Sequence, residues 1–145
     1  MNVTPIAVKL LQRSDGDVFE NVADDVFDNR VRKSLAREFL DDPRHYIAVA
    51  LQDNLVVGMA SAVHYVHPDK RAQLFVNEVS VSHSHQEQGI GSKLLSLLLS
   101  RGRELDCTEA WVATEPENTA ARALYAKAGG VKGPTPFVMY TFPLQ

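Results

Sequence analysis

Residues 75–99 read FVNEVSV (75–81), SHSHQEQGIG (82–91) and SKLLSLLL (92–99), and the rest of the chain is organised around them. The first piece is apolar and rich in β-branched residues, the second is a polar turn carrying Gly89 and Gly91, and the third is leucine-rich with helical character. The order is strand, turn, helix. Glycines at the mouth of a helix let the backbone come close to a ligand, and the first helical N–H groups have no partner within the helix. Phosphate is the natural guest of such a place.

Spacing decides which phosphate motif this is. A dinucleotide fingerprint needs a third small residue where Leu94 stands, and a P-loop needs glycine at Gln86 and lysine directly after Gly91, where Ser92 stands. Both fail. What matches is Gln86-x-x-Gly89-x-Gly91, and here the chain resembles the GNAT superfamily of N-acetyltransferases, whose Q/R-x-x-G-x-G/A turn holds the pyrophosphate of acetyl-CoA. The resemblance implies cofactor contacts along the whole turn, from Gln86, Glu87, Gln88, Gly89, Ile90, Gly91 and Ser92. Family members often carry arginines where this turn reads Gln86-Glu87-Gln88, and Glu87 sets a negative charge near an anionic cofactor. Binding then leans on backbone amides, helped by Lys93.

With 145 residues, 45% of them hydrophobic, the chain is sized for a single domain over residues 1–145 with one enclosed core. A net charge of −3 lacks the basic excess of a nucleic-acid surface. Cys107 is the only cysteine, so no internal disulfide forms, and MNVTPIAVKL lacks the basic start and long apolar core of a secretory signal. A cytoplasmic location is the default expectation. Ser96, Ser100 and Arg101 break the leucine-rich segment well short of the ~20 apolar residues that cross a bilayer, so no membrane partner is expected.

In chain order, Ile6–Leu11 reads as a first strand ended by the turn Ser14–Asp17. A helix is expected from about Asp17, because Val18, Phe19, Val22, Val26 and Phe27 recur at steps of three and four; a second helix from Val31 to Leu40 buries Val31, Leu35, Phe39 and Leu40. His45–Leu51 and Leu55–Val66 form a hairpin across Gln52-Asp53-Asn54, and His67–Arg71 is a loop because Pro68 lacks a ladder N–H. The central strand, turn and helix follow, then a strand over Glu109–Thr114, a helix over Thr119–Ala128 capped by Asn118 and stopped by Gly129-Gly130, and a last strand over Phe137–Phe142. The fold class expected is α/β (α+β). The order is similar to the GNAT fold, which implies a mixed, mostly antiparallel sheet flanked by helices on both faces. ATEPENTAARALYAKAGG (113–130) is similar to the family's second cofactor segment, N-x-x-A-x-x-L-Y, at Asn118, Ala121, Leu124 and Tyr125. The hairpin, the HYVHPDK loop (64–70) and the VMYTFPL ending (138–144) resemble the branch described as like aminoglycoside 3-N-acetyltransferases.

Attack of an amine on a thioester requires that the amine, with a pKa near ~10.4, first lose its proton. Glu78 is a charged group inside an otherwise apolar run, which points to a base or substrate-binding role, directly or through water; a salt-bridged edge glutamate is the structural alternative. Tyr125 follows Asn118 by seven residues, about two helical turns or roughly 10 Å, so one ligand can touch both. The resemblance implies a general-acid role for Tyr125 toward the departing CoA thiolate and a pantetheine contact for Asn118; read alone, they are a core aromatic and an N-cap. It also implies main-chain contacts from Val79 and Val81 to the pantetheine where the strands splay, with the Val81 N–H suited to the developing oxyanion.

Asp24, Asp25 and Asp28, together with Glu78, read either as a solvated face or as a substrate-binding rim for a small cationic amine, aminoglycoside-like or a polyamine. Glu115 and Glu117 fall on the side where the family places its acceptor cleft. His64-x-x-His67 and His83-x-His85 have no cysteine pair or HExxH helix beside them, so no metal is expected. The alternatives are acetylation of a protein or peptide amine, and a non-catalytic acyl-CoA sensor that keeps the glycine turn but not the base and acid. A homodimer is left open.

Overall fold

A computed structural model describes residues 4–145 of the chain. Five strands form one sheet in the order β1 (Ala7–Leu10), β2 (His45–Gln52), β3 (Leu55–Tyr65), β4 (Gln73–Val81) and β5 (Ala110–Trp111); every neighbouring pair is antiparallel except β4 with β5. Asp53 and Asn54 both take positive φ, 50° and 64°, the conformation that lets a two-residue turn follow the twist of β2 and β3. The helices are α1 (Lys33–Asp41), α2 (Ile90–Glu104) and α3 (Thr119–Lys127). The mixed, mostly antiparallel sheet with helices on both faces is therefore present.

Each face of the sheet carries its own core. Leu94, Leu95 and Leu98 of α2 bury against Ala48, Ala60 and Ala62, where small sheet residues leave room for leucines. A Cβ on Gly58 would stand 3.3 Å from both Ile90 and Leu94, so the glycine sets how closely α2 approaches. On the opposite face Ile47, Val49, Val56 and Met59 are covered by Leu11 and Val26, with Phe27 and Phe39 half-buried beside them. Each fully buried aliphatic side chain contributes roughly 1.5–3 kcal/mol.

Four expectations are corrected. The helix expected from Asp17 is only a 3-10 turn over Gly16–Glu20, because Asn21 and Ala23 bond through their backbones to Val56 and Val22 bridges to it. Its apolar residues still bury, reaching the sheet from an irregular segment. Leu35 is 49% exposed, since α1 starts two residues later than expected and rests on Phe39 and Leu40. The β5 ladder spans two residues rather than six. The final strand is absent: residues 131–145 are exposed and carry no strand, having no ladder partner within the described residues.

Candidate active site

The strand that carries Glu78 changes parity in its middle. Ala62 pairs with Val76 but Ser61 pairs with Glu78, leaving Asn77 as an extra residue, a β-bulge. Before it Leu74 and Val76 face α2; after it Val79 and Val81 face α2. Strict alternation would have driven Glu78 under α2. The bulge instead turns it to the opposite face, the side of Ser61 and Met59, and the carboxyl sits in an open but partly desolvated place. Loss of water, with the negative charge of Asp28 added, raises its pKa above the usual carboxylate value.

On the other edge, β5 meets β4 only at Leu74↔Ala110 and Phe75↔Trp111. From Val76 to Val81 the strand has no registered β5 partner, so a stretch of main chain, including Val79 and Val81, is open on that side. Tyr125, on α3, is half-buried against the α2 core, and burial pushes its phenol pKa up. Asn118 caps α3: its side-chain oxygen accepts the Ala121 N–H at 3.0 Å.

The turn at the end of β4 is held from several sides. Gln86 donates its side-chain amide to the Val81 carbonyl at 3.1 Å, folding the turn back on the strand. Asp25 accepts the His83 N–H at 2.8 Å, and that bond, with help from Ser82, lowers the Asp25 pKa. Gln52 donates to the Thr4 carbonyl and accepts His85 Nε2–H at 2.6 Å on its oxygen, and His85 Nδ1 lies 2.7 Å from the Ser84 hydroxyl. Gly89 opens α2 at φ 77°, and Glu87 also lies at positive φ, 62°. Among the described residues no side chain caps α2, so the N–H groups of Ile90, Gly91 and Ser92 begin the helix without a side-chain acceptor. Gly91 lets α3 close on the turn, since a Cβ there would be 3.2 Å from Leu124.

The three aspartates are separated. Asp24 and Asp28 line a cleft of about 960 Å³ between α1 and the irregular segment before it, whereas Asp25 is turned away to the glycine turn. The cleft is not uniformly acidic: Asp17, Glu20, Asp24 and Asp28 are matched by Arg13, Arg30, Lys33 and Arg37. The negative charge near Glu78 is local and comes from Asp28. Glu115 and Glu117 are exposed on the loop before α3. His67 bonds to Gln73 and His85 to Gln52 and Ser84, so these histidines serve local structure. Gln52 and the bulge at Asn77 were not singled out from sequence. The bulge had a signal, the three-residue step from Val76 to Val79 in an otherwise alternating strand.

The fold as a whole is similar to that of solved structures. An aminoglycoside acetyltransferase from an uncultured soil metagenomic sample, in complex with sisomicin, matches at 18% identity and a TM-score of 0.77, covering 95% of this chain and 97% of that one. An aminoglycoside N-acetyltransferase in complex with CoA matches at 16% identity and 0.75, over 99% and 98%. A ribosomal-protein-alanine N-acetyltransferase from Brucella melitensis biovar Abortus 2308 matches at 18% identity and 0.70, over 95% and 100%. No curated protein matches the chain in sequence. The model of the acetyltransferase (GNAT) family matches residues 9–130, most of the chain, and the protein belongs to that family.

Proposed function

We propose that this N-acetyltransferase moves acetyl from acetyl-CoA to the primary amine of a small cationic acceptor, working as a single domain over residues 1–145 in the cytoplasm. The observation that carries the reading is Glu78, set by the Asn77 bulge on the face away from α2 and next to the charge of Asp28. Its raised pKa makes it a better proton acceptor than an ordinary carboxylate.

When bound, acetyl-CoA supplies the activated acyl group; the chain's own residues hold it and move protons. The N–H groups of Ile90, Gly91 and Ser92 and the positive end of α2 suit its pyrophosphate, the turn being shaped by Gln86, Glu87, Gln88 and Gly89. Val79 and Val81 offer main chain to the pantetheine arm along the open edge of β4, and the amide of Asn118, whose oxygen caps α3, is suited to the same arm. Glu78 takes the proton that the acceptor ammonium must lose, directly or through water. The amine lone pair then forms the C–N bond as the C–S bond breaks, the Val81 N–H faces the oxyanion, and Tyr125 gives its proton to the sulfur.

The acceptor reading rests on Asp28, which lines the cleft together with Asp24 and whose negative charge is felt by Glu78. The likeness to aminoglycoside acetyltransferases is a likeness of fold, and it fits an aminoglycoside-like acceptor. Calorimetry with acetyl-CoA tests the donor, and the apparent acceptor constant at rising ionic strength tests the charge: it is expected to rise, because exposed charges are screened beyond a Debye length, about 8 Å at physiological salt and shorter as salt is added. A best acceptor that is neutral or anionic sinks the cationic assignment. Binding of acetyl-CoA without turnover on any amine, peptides included, identifies a sensor module instead.

A further inference from the structure

The cleft between α1 and the segment before it is larger, and more varied in charge, than a bare amine requires. It encloses about 960 Å³, and some of its charged lining is already engaged. Arg13 is held by Asp41 at 2.9 Å, and Lys33 stands 3.9 Å from Glu20. Among the described residues the other charged groups of the lining, Asp17, Asp24, Asp28, Arg30 and Arg37, form no ion pair. Two arginines of one cleft whose donors are unanswered suit an anion, since each planar guanidinium matches a carboxylate with two parallel N–H bonds. A polyamine or an aminoglycoside brings no anionic group to meet them.

The two signs lie close together. Asp28 and Arg30 are two residues apart, so their Cα atoms are within about 7 Å of each other. The charge of Asp28 is felt at Glu78, and under the acetyl-transfer reading, on which this inference rests, Asp28 therefore marks the amine end. Phe19, Phe27 and Leu40 give the same cleft apolar wall, which suits a methylene chain. We propose that the acceptor is a diamino acid of the lysine or ornithine kind, its side-chain amine delivered to Glu78 and its carboxylate held by Arg30 and Arg37. Three unpaired acids against two arginines leave one negative charge in excess in the cleft, the complement of a molecule with two ammonium groups and one carboxylate. A phosphate in place of the carboxylate would cancel that net positive charge. In the transfer the side-chain ammonium gives one proton to Glu78, and its nitrogen bonds to the acetyl carbon as the C–S bond breaks. The thiolate leaves with the Tyr125 proton, and the second proton lost by the nitrogen restores the phenol.

The test is thiol release from acetyl-CoA by the full chain with lysine, lysinamide, cadaverine and an aminoglycoside in turn. Calorimetry of lysine and of cadaverine in the presence of CoA reads the cleft without turnover. Lysine is expected to exceed lysinamide and cadaverine in kcat/KM, and cadaverine in affinity, by roughly tenfold or more, the worth of a hydrogen-bonded contact between charged groups. The product should carry acetyl on the side-chain nitrogen. Arg30→Gln and Arg37→Gln, both at exposed positions and checked for folding by circular dichroism, are each expected to lower the lysine-to-cadaverine ratio several-fold. Lysinamide, cadaverine or the aminoglycoside matching lysine overturns the proposal, as does a lysine preference that survives both substitutions or acetyl found on the α-nitrogen. Thiol release that no amine elicits sinks the acetyl-transfer reading instead, and calorimetry then decides the carboxylate site: tighter binding of lysine than of cadaverine, lost in both variants, upholds it, and equal binding overturns it.

Discussion

Asp25 accepts a hydrogen bond from the main-chain N–H of His83 at 2.8 Å, joining the irregular segment after the first strand to the turn that ends β4. An acid read from sequence as part of the acceptor rim thus also braces the turn that the proposed function assigns to acetyl-CoA. Asp25→Ala is expected to raise the apparent KM for acetyl-CoA several-fold while leaving the acceptor KM close to wild type, measured by steady-state kinetics with each substrate varied in turn. The His83 bond lowers the Asp25 pKa, so the brace is present above the ordinary carboxylate range and is lost as pH falls through the lowered value. Acetyl-CoA affinity should weaken at that acidic end in the wild type and not further in the variant.

Glu78→Gln is expected to reduce turnover by ~10²-fold or more with acetyl-CoA affinity retained. Its effect on stability runs the other way. Burial and Asp28 raise the Glu78 pKa, so the folded state holds the proton more tightly than the unfolded one; the stability this gives is present at low pH and lost as pH rises through the raised value. Above the raised value the carboxylate costs stability that glutamine does not, and scanning calorimetry there should show an unchanged or higher Tm in the variant.

The same relationship fixes the sign of a pH shift. Asp28→Asn removes the charge that helps raise the Glu78 pKa, so the acidic limb of kcat/KM should move to lower pH. A limb that stays in place would assign it to a group other than Glu78.

How much of this could be read from the chain alone differs from element to element. The strand, glycine turn and helix of residues 75–99 were legible because a change in hydrophobic period coincides with two glycines, and both signals are local. The helix expected from Asp17 failed because its three-and-four spacing is also what a meandering segment shows when it drops several residues into one core; the backbone bonds of Asn21 and Ala23 to Val56 were not visible. The influence of the Asp28 charge on Glu78 depends on the Asn77 bulge, which sequence showed only as a skipped step. The FVMYTF segment has strand composition, but composition does not supply the edge a strand needs.

Tyr125→Phe is expected to lower kcat with little change in either KM, since a lost proton donor acts on the transition state whereas lost packing acts on folding or binding. Burial raises the Tyr125 pKa and keeps the phenol protonated through neutrality, so any basic limb it sets should lie above the ordinary tyrosine range and vanish in the variant.

The two glycines of the turn should fail differently. Gly89→Ala meets nothing within 4 Å, so its cost is that of positive φ alone, about 1–2 kcal/mol, read as a Tm lowered by a few degrees. Gly91→Val pushes on Leu124 and with it on α3, so turnover should fall more than stability does. Paired melting and kinetic measurements on the two variants separate these effects.

In the proposed reaction this chain carries acetyl from acetyl-CoA to a cationic primary amine with Glu78 as the base. Amine-dependent release of free thiol from acetyl-CoA, followed for the wild type and for Glu78→Gln across polyamines, aminoglycosides, amino acids and peptides, tests it most directly. Release is expected to require a cationic primary amine and to fall by ~10²-fold or more in the variant; release that needs no amine, or that Glu78→Gln leaves at the wild-type rate, would contradict that role.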